Sequence, residues 1–286
     1  MNQQLRVLDV EQMAQFERDG FYVARGLFGG DQVETLRDRF MAIHAAGGVE
    51  GFFSPIPLEE SGGDVLLHYP RIMHPHRFDE SSKTSMLDAR LRDVLHDLFG
   101  EQPLAAQSMM YFKPPGARGQ ALHQDNFYLQ VSPGTCMAAW VPLDDADEEN
   151  GGLFVVPGSH KGELQCPHVA DLTKSFTTEE VDVPDGTEPV AVELKRGDVL
   201  FFNGSLIHGS YPNTSSTRFR RAFICHYVPD STTEMHEGYY PLHTFAGEPV
   251  ERAKADSGGV CGTEEWALLN EARNLAYARP EKGTFA

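Results

Sequence analysis

Apolar residues recur at helical spacing before Gly100 and gather into short runs after it. Val33, Leu36, Phe40 and Ile43 return every three or four positions, which predicts an amphipathic helix capped by Asp31 behind Gly29-Gly30. Leu91, Val94, Leu95 and Leu98 do the same within Leu87 to Phe99, ending at Gly100. A shorter helix is expected over Val10 to Asp19, stopped by Gly20 and followed by a strand-like run, Phe21 to Phe28. Beyond Gly100 come apolar runs at Ser108 to Phe112, Met137 to Leu143, Leu153 to Val156, Val190 to Leu194, Val199 to Phe202 and Ala222 to Val228. Turn signals such as Pro114-Pro115-Gly116, Asn150-Gly151-Gly152 and Arg196-Gly197-Asp198 separate them, so the pattern predicts an all-β sandwich or barrel. The fold class expected is mainly β with flanking helices. One domain is expected over residues 1–286, with a helix-rich part (1–104), a strand core (105–229) and a polar tail (230–286) packing on that core. Only Glu264 to Ala278 looks helical in the tail.

Composition narrows the partners. Twenty-four Lys and Arg against 42 Asp and Glu give a formal charge of −18, which repels phosphate backbones and anionic lipid heads. Nucleic acid and membrane surfaces are therefore not the expected partners, and no apolar run approaches the roughly 20 residues that span a bilayer. Met1 to Gly20 carries Arg6, Asp9, Glu11, Glu17, Arg18 and Asp19 in place of a secretory apolar stretch, which points to a cytoplasmic protein. The four cysteines, Cys136, Cys166, Cys225 and Cys261, form no C-x-x-C pair and are expected as free thiols.

Three groups of residues carry candidate chemistry. His123-Gln124-Asp125 is an H-x-D triplet, a pattern that chance alone supplies about once in a chain of this composition. In an extended segment, positions i and i+2 share a side, so His123 and Asp125 can address one metal. His208, in Ile207-His208-Gly209-Ser210, is the candidate third ligand. Two histidines and a carboxylate on one face of an octahedral ion leave positions open, as in non-haem Fe(II) oxygenases. The third group is Arg218-Phe219-Arg220-Arg221, where a guanidinium fork suits the far carboxylate of a dicarboxylate. Strand parity puts Arg220 with Ala222 and Ile224, and Arg221 with Phe223 and Cys225, without saying which face is inside.

In order along the chain stand Lys113-Pro114-Pro115-Gly116, Leu122-His123-Gln124-Asp125, Trp140-Val141-Pro142-Leu143-Asp144, Asn150-Gly151-Gly152-Leu153 and Val156-Pro157-Gly158-Ser159-His160. Gly197-Asp198-Val199-Leu200-Phe201-Phe202, His208-Gly209-Ser210 and Phe219-Arg220-Arg221-Ala222 follow. As a set these segments resemble the phytanoyl-CoA dioxygenase family of Fe(II)/2-oxoglutarate-dependent oxygenases. The resemblance implies a double-stranded β-helix (a jelly-roll or cupin-like barrel), with His123, Asp125 and His208 as iron ligands. It implies Arg220 on the far carboxylate of the co-substrate 2-oxoglutarate, helped by Ser210, and Met109, Gln124 and Trp140 lining the same site. On residues alone, Trp140 reads equally as core, Met109 reads as core packing with incidental ligand contact, His160 reads as a structural loop residue, and a regular strand would turn Gln124 away from the metal.

The activity so implied uses Fe(II), 2-oxoglutarate and O2 to hydroxylate an aliphatic carbon of a small-molecule substrate, releasing succinate and CO2. Halogenases of this architecture lack the carboxylate that Asp125 supplies, which favours hydroxylation here. The histidines bind metal only when neutral, so activity is expected to fall as pH drops through their titration range. Tyr111, Lys113, Asn126, Tyr128 and the Tyr69 to Arg77 segment are expected around the substrate. The basic residues of that segment suggest an anionic substrate, or alternatively an exposed loop balanced by Asp79 and Glu80. Two alternatives stay open: a non-enzymatic ligand-binding jelly roll, and a cupin-type metalloenzyme that does not use 2-oxoglutarate.

Overall fold

The computed structural model describes residues 6–255 and 259–261, so the expected helix Glu264 to Ala278 lies outside the described residues. Helix α1 (Val10–Asp19) begins where the Asp9 carboxylate accepts from Gln12 N and ends at Gly20, in the left-handed conformation. Strand β1 (Phe21–Ala24) is shorter than the apolar run suggests, because Asp198 captures the Gly26 amide and pairs with Arg25, turning the chain away. Helix α2 (Gly30–Ala45) is entered from Gly29, without a side-chain cap. Asp31 therefore sits inside the first turn, where its charge favours the helix dipole, rather than at the cap expected of it. Two short helices, α3 (Val65–His68) and α4 (Glu80–Met86), flank β2 (Ile72–Met73). Helix α5 (Ala89–Phe99) starts after Asp88, which accepts from Arg90 N, and stops at Gly100 as expected.

The remaining strands are β3 (Pro103–Lys113), β4 (Gln120–His123), β5 (Met137–Pro142), β6 (Leu153–Val155), β7 (His168–Val169) and β8 (Glu179–Glu180). They continue with β9 (Val190–Val192), β10 (Val199–Asn203), β11 (His208–Ser210) and β12 (Arg220–Pro229). In the tail lie β13 (Glu234–Met235), β14 (Leu242–His243), β15 (Pro249–Val250) and β16 (Ala253–Lys254), and a helix, α6 (Asp125–Leu129), follows β4. The larger sheet runs β1-β10-β5-β12-β3-β14-β15, with β2 also on β3, and the smaller one runs β4-β11-β6-β9. The N-terminal part thus contributes β1 and β2, and the tail contributes β14 and β15, to the same sheet as the central strands.

Period-two alternation sorts the large sheet into two faces. Met109, Ala138, Trp140, Leu200, Phe202, Ala222 and Ile224 pack with Leu153, Val155 and Val192 of the small sheet, giving the core between the sheets. Met110, Phe112, Ala139, Val141, Phe201, Phe223 and Tyr227 point the other way and are covered by Val33, Leu36, Phe40 and Ile43 of α2 and by Leu91, Val94 and Leu95 of α5. The amphipathic stripes of those two helices are what the outer face requires, and burial at roughly 25 cal/mol per Å2 stabilises the contact. Among the described residues no helix is long and apolar enough to cross a membrane.

One expectation is overturned by the path of the tail. Cys166 and Cys261 form a disulfide across a sequence separation of 95 residues, while Cys136 and Cys225 are buried free thiols. The bridge sets Cys261 against Phe127, on the helix that carries Asp125. Nothing local to either cysteine announces this pairing.

Candidate metal centre and its cavity

Strands β4 and β11 pair antiparallel in a register that sets His208 directly opposite His123. That single pairing brings together two imidazoles far apart in sequence, with ring centroids 4.2 Å apart. Gly209 is required beside them: a Cβ there would lie 2.7 Å from Phe154 Cζ and 2.8 Å from the Gln120 carbonyl oxygen. The chain does not continue as a strand beyond His123, as the i, i+2 argument assumed. Gln124 is extended and Asp125 opens α6, and this turn still brings the carboxylate back to His123. Asp125 Oδ1 lies 3.5 Å from His123 Nε2 and 3.7 Å from His208 Nε2. Within the described residues these three form the one group with metal-ligand spacing, their donor atoms all within 4.8 Å of one another.

Hydrogen bonds fix the tautomers. His123 Nδ1 lies 2.9 Å from the Ala121 carbonyl and His208 Nδ1 lies 3.0 Å from that of Leu206. A carbonyl only accepts, so each Nδ1 carries the proton and each Nε2 presents a lone pair toward Asp125. Burial, reinforced by His123, pushes the His208 pKa down to about 4, so this imidazole is neutral at physiological pH and below the ordinary histidine range. Burial alone would raise the Asp125 pKa, but the neighbouring His208 and His226, with the hydrogen bond that His226 donates, hold it well below the usual carboxylate range. The site is therefore two imidazole nitrogens and one carboxylate, all buried.

His226 is the residue the sequence reading missed. It sits on β12 with the parity of Arg220, Ala222 and Ile224, and its Nε2 donates to Asp125 Oδ2 at 2.9 Å. It leaves Oδ1 to face the two histidines. A phenylalanine at this position keeps the ring but removes the donor, so His226→Phe is expected to weaken Fe(II) or Mn(II) binding about 10- to 100-fold, the usual cost of losing such a support. Metal titration of the variant checks this, and an unchanged dissociation constant refutes it. The only sequence signal was a histidine within an apolar run, which reads as core.

The three arginines separate cleanly. Arg218 pairs with Asp147 and Glu149, and Arg221 is held bidentately by Asp144. Arg220 is 2% exposed, donates from Nε to the Gly151 carbonyl at 3.0 Å, and leaves Nη1 buried without a partner. The face bearing Arg220 is thus the inner one. Its guanidinium carbon lies 5.4 Å from the Trp140 ring centroid, and burial brings its pKa down to about 10, leaving it charged. Met109, Trp140, Ser210 and Arg220 line one recess with His123, Asp125 and His208.

Gln124 does not line that recess and is a correction. Its amide donates to the Ser205 carbonyl at 2.8 Å and accepts from Gln165 N, bracing the loop outside the metal centre. Gln120, the first residue of β4 and four positions before Gln124, faces the cavity instead and lies 3.1 Å from His123 Nε2. Two residues expected around substrate also sit elsewhere. Asn126 is buried and closes the turn after α6 through Val131 N, and Lys113 is buried against Ser210. Tyr111 and Tyr128 do line an outer cavity of about 190 Å3, together with Arg71, Met73, Glu179 and Tyr239. The rest of the Tyr69 to Arg77 segment is not the exposed loop of the alternative reading. His76 is buried on Ser108, and Arg77 donates to the carbonyls of Gly238 and Tyr240. His160 sits in a single 3-10 turn, Ser159–Lys161, and not in the irregular loop expected; it packs under Gly20, with Nε2 near the Glu17 carbonyl.

Comparison with known proteins agrees with this geometry. A family model described as phytanoyl-CoA dioxygenase matches residues 16–222. Phytanoyl-CoA dioxygenase 1 from Oryza sativa subsp. japonica is 27% identical over 252 residues, spanning 76% of this chain and 88% of that protein. Among solved structures, SnoK, a non-heme alpha ketoglutarate dependent carbocyclase from nogalamycin biosynthesis, aligns with a TM-score of 0.64 at 20% identity, covering 86% of this chain and 94% of that one. EctD from S. alaskensis, solved with 2-oxoglutarate and 5-hydroxyectoine, aligns with a TM-score of 0.61 at 24% identity, covering 82% and 79%. The structural likenesses establish the fold, a double-stranded β-helix with flanking helices.

Proposed function

The chain belongs to the phytanoyl-CoA dioxygenase family of Fe(II)- and 2-oxoglutarate-dependent dioxygenases, and from that premise we propose that it hydroxylates an aliphatic carbon of a small-molecule substrate. The observation that supports this most is the convergence of His123, Asp125 and His208 beside a buried Arg220 with an unpartnered nitrogen. Two imidazoles and a carboxylate suit ferrous iron and leave coordination positions for a bidentate keto acid and O2. When bound, this pair supplies the oxidising chemistry: 2-oxoglutarate becomes succinate and CO2 while one oxygen atom enters the substrate.

The residues of the chain do the placing. His123 and His208 would hold the metal through Nε2, Asp125 would supply its negative charge, and His226 orients that carboxylate. Arg220 would take the far carboxylate of 2-oxoglutarate, with the Ser210 hydroxyl next to it and Trp140 and Met109 walling the recess against water. The intact carboxylate at position 125 favours oxygen transfer over halogenation. The substrate would occupy the outer cavity, where Arg71 supports an anionic group and the buried Glu179 carboxylate excludes one from its own side. We treat residues 1–286 as a single dioxygenase domain, since strands from the N-terminal part, the core and the tail share one sheet.

Anaerobic addition of Fe(II) and then 2-oxoglutarate is expected to give a weak visible band, and admission of air to release succinate. Absence of both supports a binding protein without chemistry. Activity retained with zinc or manganese and without 2-oxoglutarate supports a cupin-type metalloenzyme.

A further inference from the structure

Lys113 ends β3 directly across from Arg220 in the β3–β12 register, and it is 1% exposed. Its amine donates to Ser210 Oγ at 2.8 Å, to the Tyr211 carbonyl, and at 3.5 Å to the Gly151 carbonyl. The Gly151 carbonyl is the one that Arg220 Nε also uses. Gly151 has a φ of +85°, and a Cβ there would overlap the Lys113 side chain, so the glycine makes the room in which the lysine lies. Among the described residues neither Lys113 nor Arg220 forms an ion pair, whereas the neighbouring Arg218 and Arg221 are both paired. Two adjacent buried basic groups without a counter-ion are costly, and an anion in the recess that Arg220 and Ser210 line lowers that cost. The unpartnered Arg220 Nη1 marks where that anion meets one of them.

We propose that Lys113 is a positioning residue for the co-substrate: it holds the Ser210 hydroxyl so that its one hydrogen points at the far carboxylate of 2-oxoglutarate anchored by Arg220. An ammonium has donors and no acceptor, so Ser210 Oγ receives from Lys113 and keeps its own hydrogen for the recess it lines. Burial and the nearby Arg220 lower the Lys113 pKa well below its ordinary value, and a carboxylate bound beside both cations opposes that shift. Lys113 therefore acts through Ser210, and it is not a wall of the substrate cavity.

This rests on the oxygenase reading, and the test separates the two. The Fe(II)-loaded protein is titrated anaerobically with 2-oxoglutarate and with 2-oxobutanoate, a keto acid that chelates alike but lacks the far carboxylate. Lys113→Met is expected to raise the 2-oxoglutarate dissociation constant roughly tenfold or more, and to leave that of 2-oxobutanoate within about twofold. In a Ser210→Ala background, which itself weakens 2-oxoglutarate, the same change should add little, since the two residues form one unit. Lys113→Gln keeps an N–H donor and most of the volume, and it serves as the second variant should Lys113→Met not fold. It should bind 2-oxoglutarate more weakly than the unmodified protein and 2-oxobutanoate equally well. Equal weakening for both keto acids marks Lys113 as a strut of the fold and overturns the proposal, as do an unchanged 2-oxoglutarate constant or additive effects with Ser210→Ala. A wild-type protein showing no saturable band with 2-oxoglutarate overturns the oxygenase reading first and this proposal with it.

Discussion

Asp125→Ala is expected to lower Fe(II)-dependent succinate formation by more than about 100-fold, beyond what loss of an outer support such as His226 costs. Asp125 supplies the only negative charge in the candidate ligand set, and its Oδ1 stands 3.5 and 3.7 Å from the two Nε2 atoms that would share the metal. Without it two imidazoles remain, and a divalent ion loses both a donor and its charge balance. The folding consequence has the same sign. In the metal-free protein the buried carboxylate is held well below the usual carboxylate range, so at neutral pH its ionised form favours the folded state, and its removal strands the His226 donor; the melting temperature of the apoprotein should fall. The metal then reports the defect: Fe(II) or Mn(II) raises the melting temperature of the wild type by mass action and should not raise that of the variant. Turnover within a factor of about two of wild type, in a variant that folds, removes Asp125 from the ligand set.

Arg220→Leu should be nearly as damaging, in a different parameter. A guanidinium meeting a carboxylate makes two charge-assisted hydrogen bonds, each worth about 1.5–3 kcal/mol, so the 2-oxoglutarate dissociation constant should rise about 100-fold or more. Metal affinity should not change, because Arg220 touches none of the three candidate ligands. Arg220→Lys keeps the charge and loses the planar fork, and an intermediate loss is expected. Arg221→Leu is the control. Its guanidinium is engaged by Asp144 on the outer side of the strand, so this variant should bind 2-oxoglutarate normally while losing some stability. Equal losses of 2-oxoglutarate affinity for the Arg220 and Arg221 variants would mean that a general positive field binds the co-substrate, and not one placed fork.

Much of this was legible before any coordinates. The 3.6-residue recurrence of Val33, Leu36, Phe40 and Ile43 and of Leu91, Val94 and Leu95 marked the two helices that cover the outer face. The apolar runs at Met137, Val199 and Ala222 became β5, β10 and β12 with ends moved by at most a few residues. The strands that carry the candidate metal centre were not legible. Gln120–His123 and His208–Ser210 are short, mixed in polarity and lack an apolar run, so no periodicity distinguishes them from loop. His226 was hidden for the reverse reason, a histidine embedded in an otherwise apolar strand.

What the sequence determined alone is therefore the longer helices and apolar strands and the two face classes of those strands, because helix and strand periods are written by residues a few positions apart. It also carried the ordered motifs that mark the family. Only the tertiary structure decided which face of β12 turns inward, that Gln124 braces a loop while Gln120 enters the cavity, and that Cys166 meets Cys261. Those outcomes depend on register between distant segments, above all His208 against His123, and on which face two helices cover. Register is set by the hydrogen bonds and packing of the whole sheet at once, so no local stretch of chain contains it.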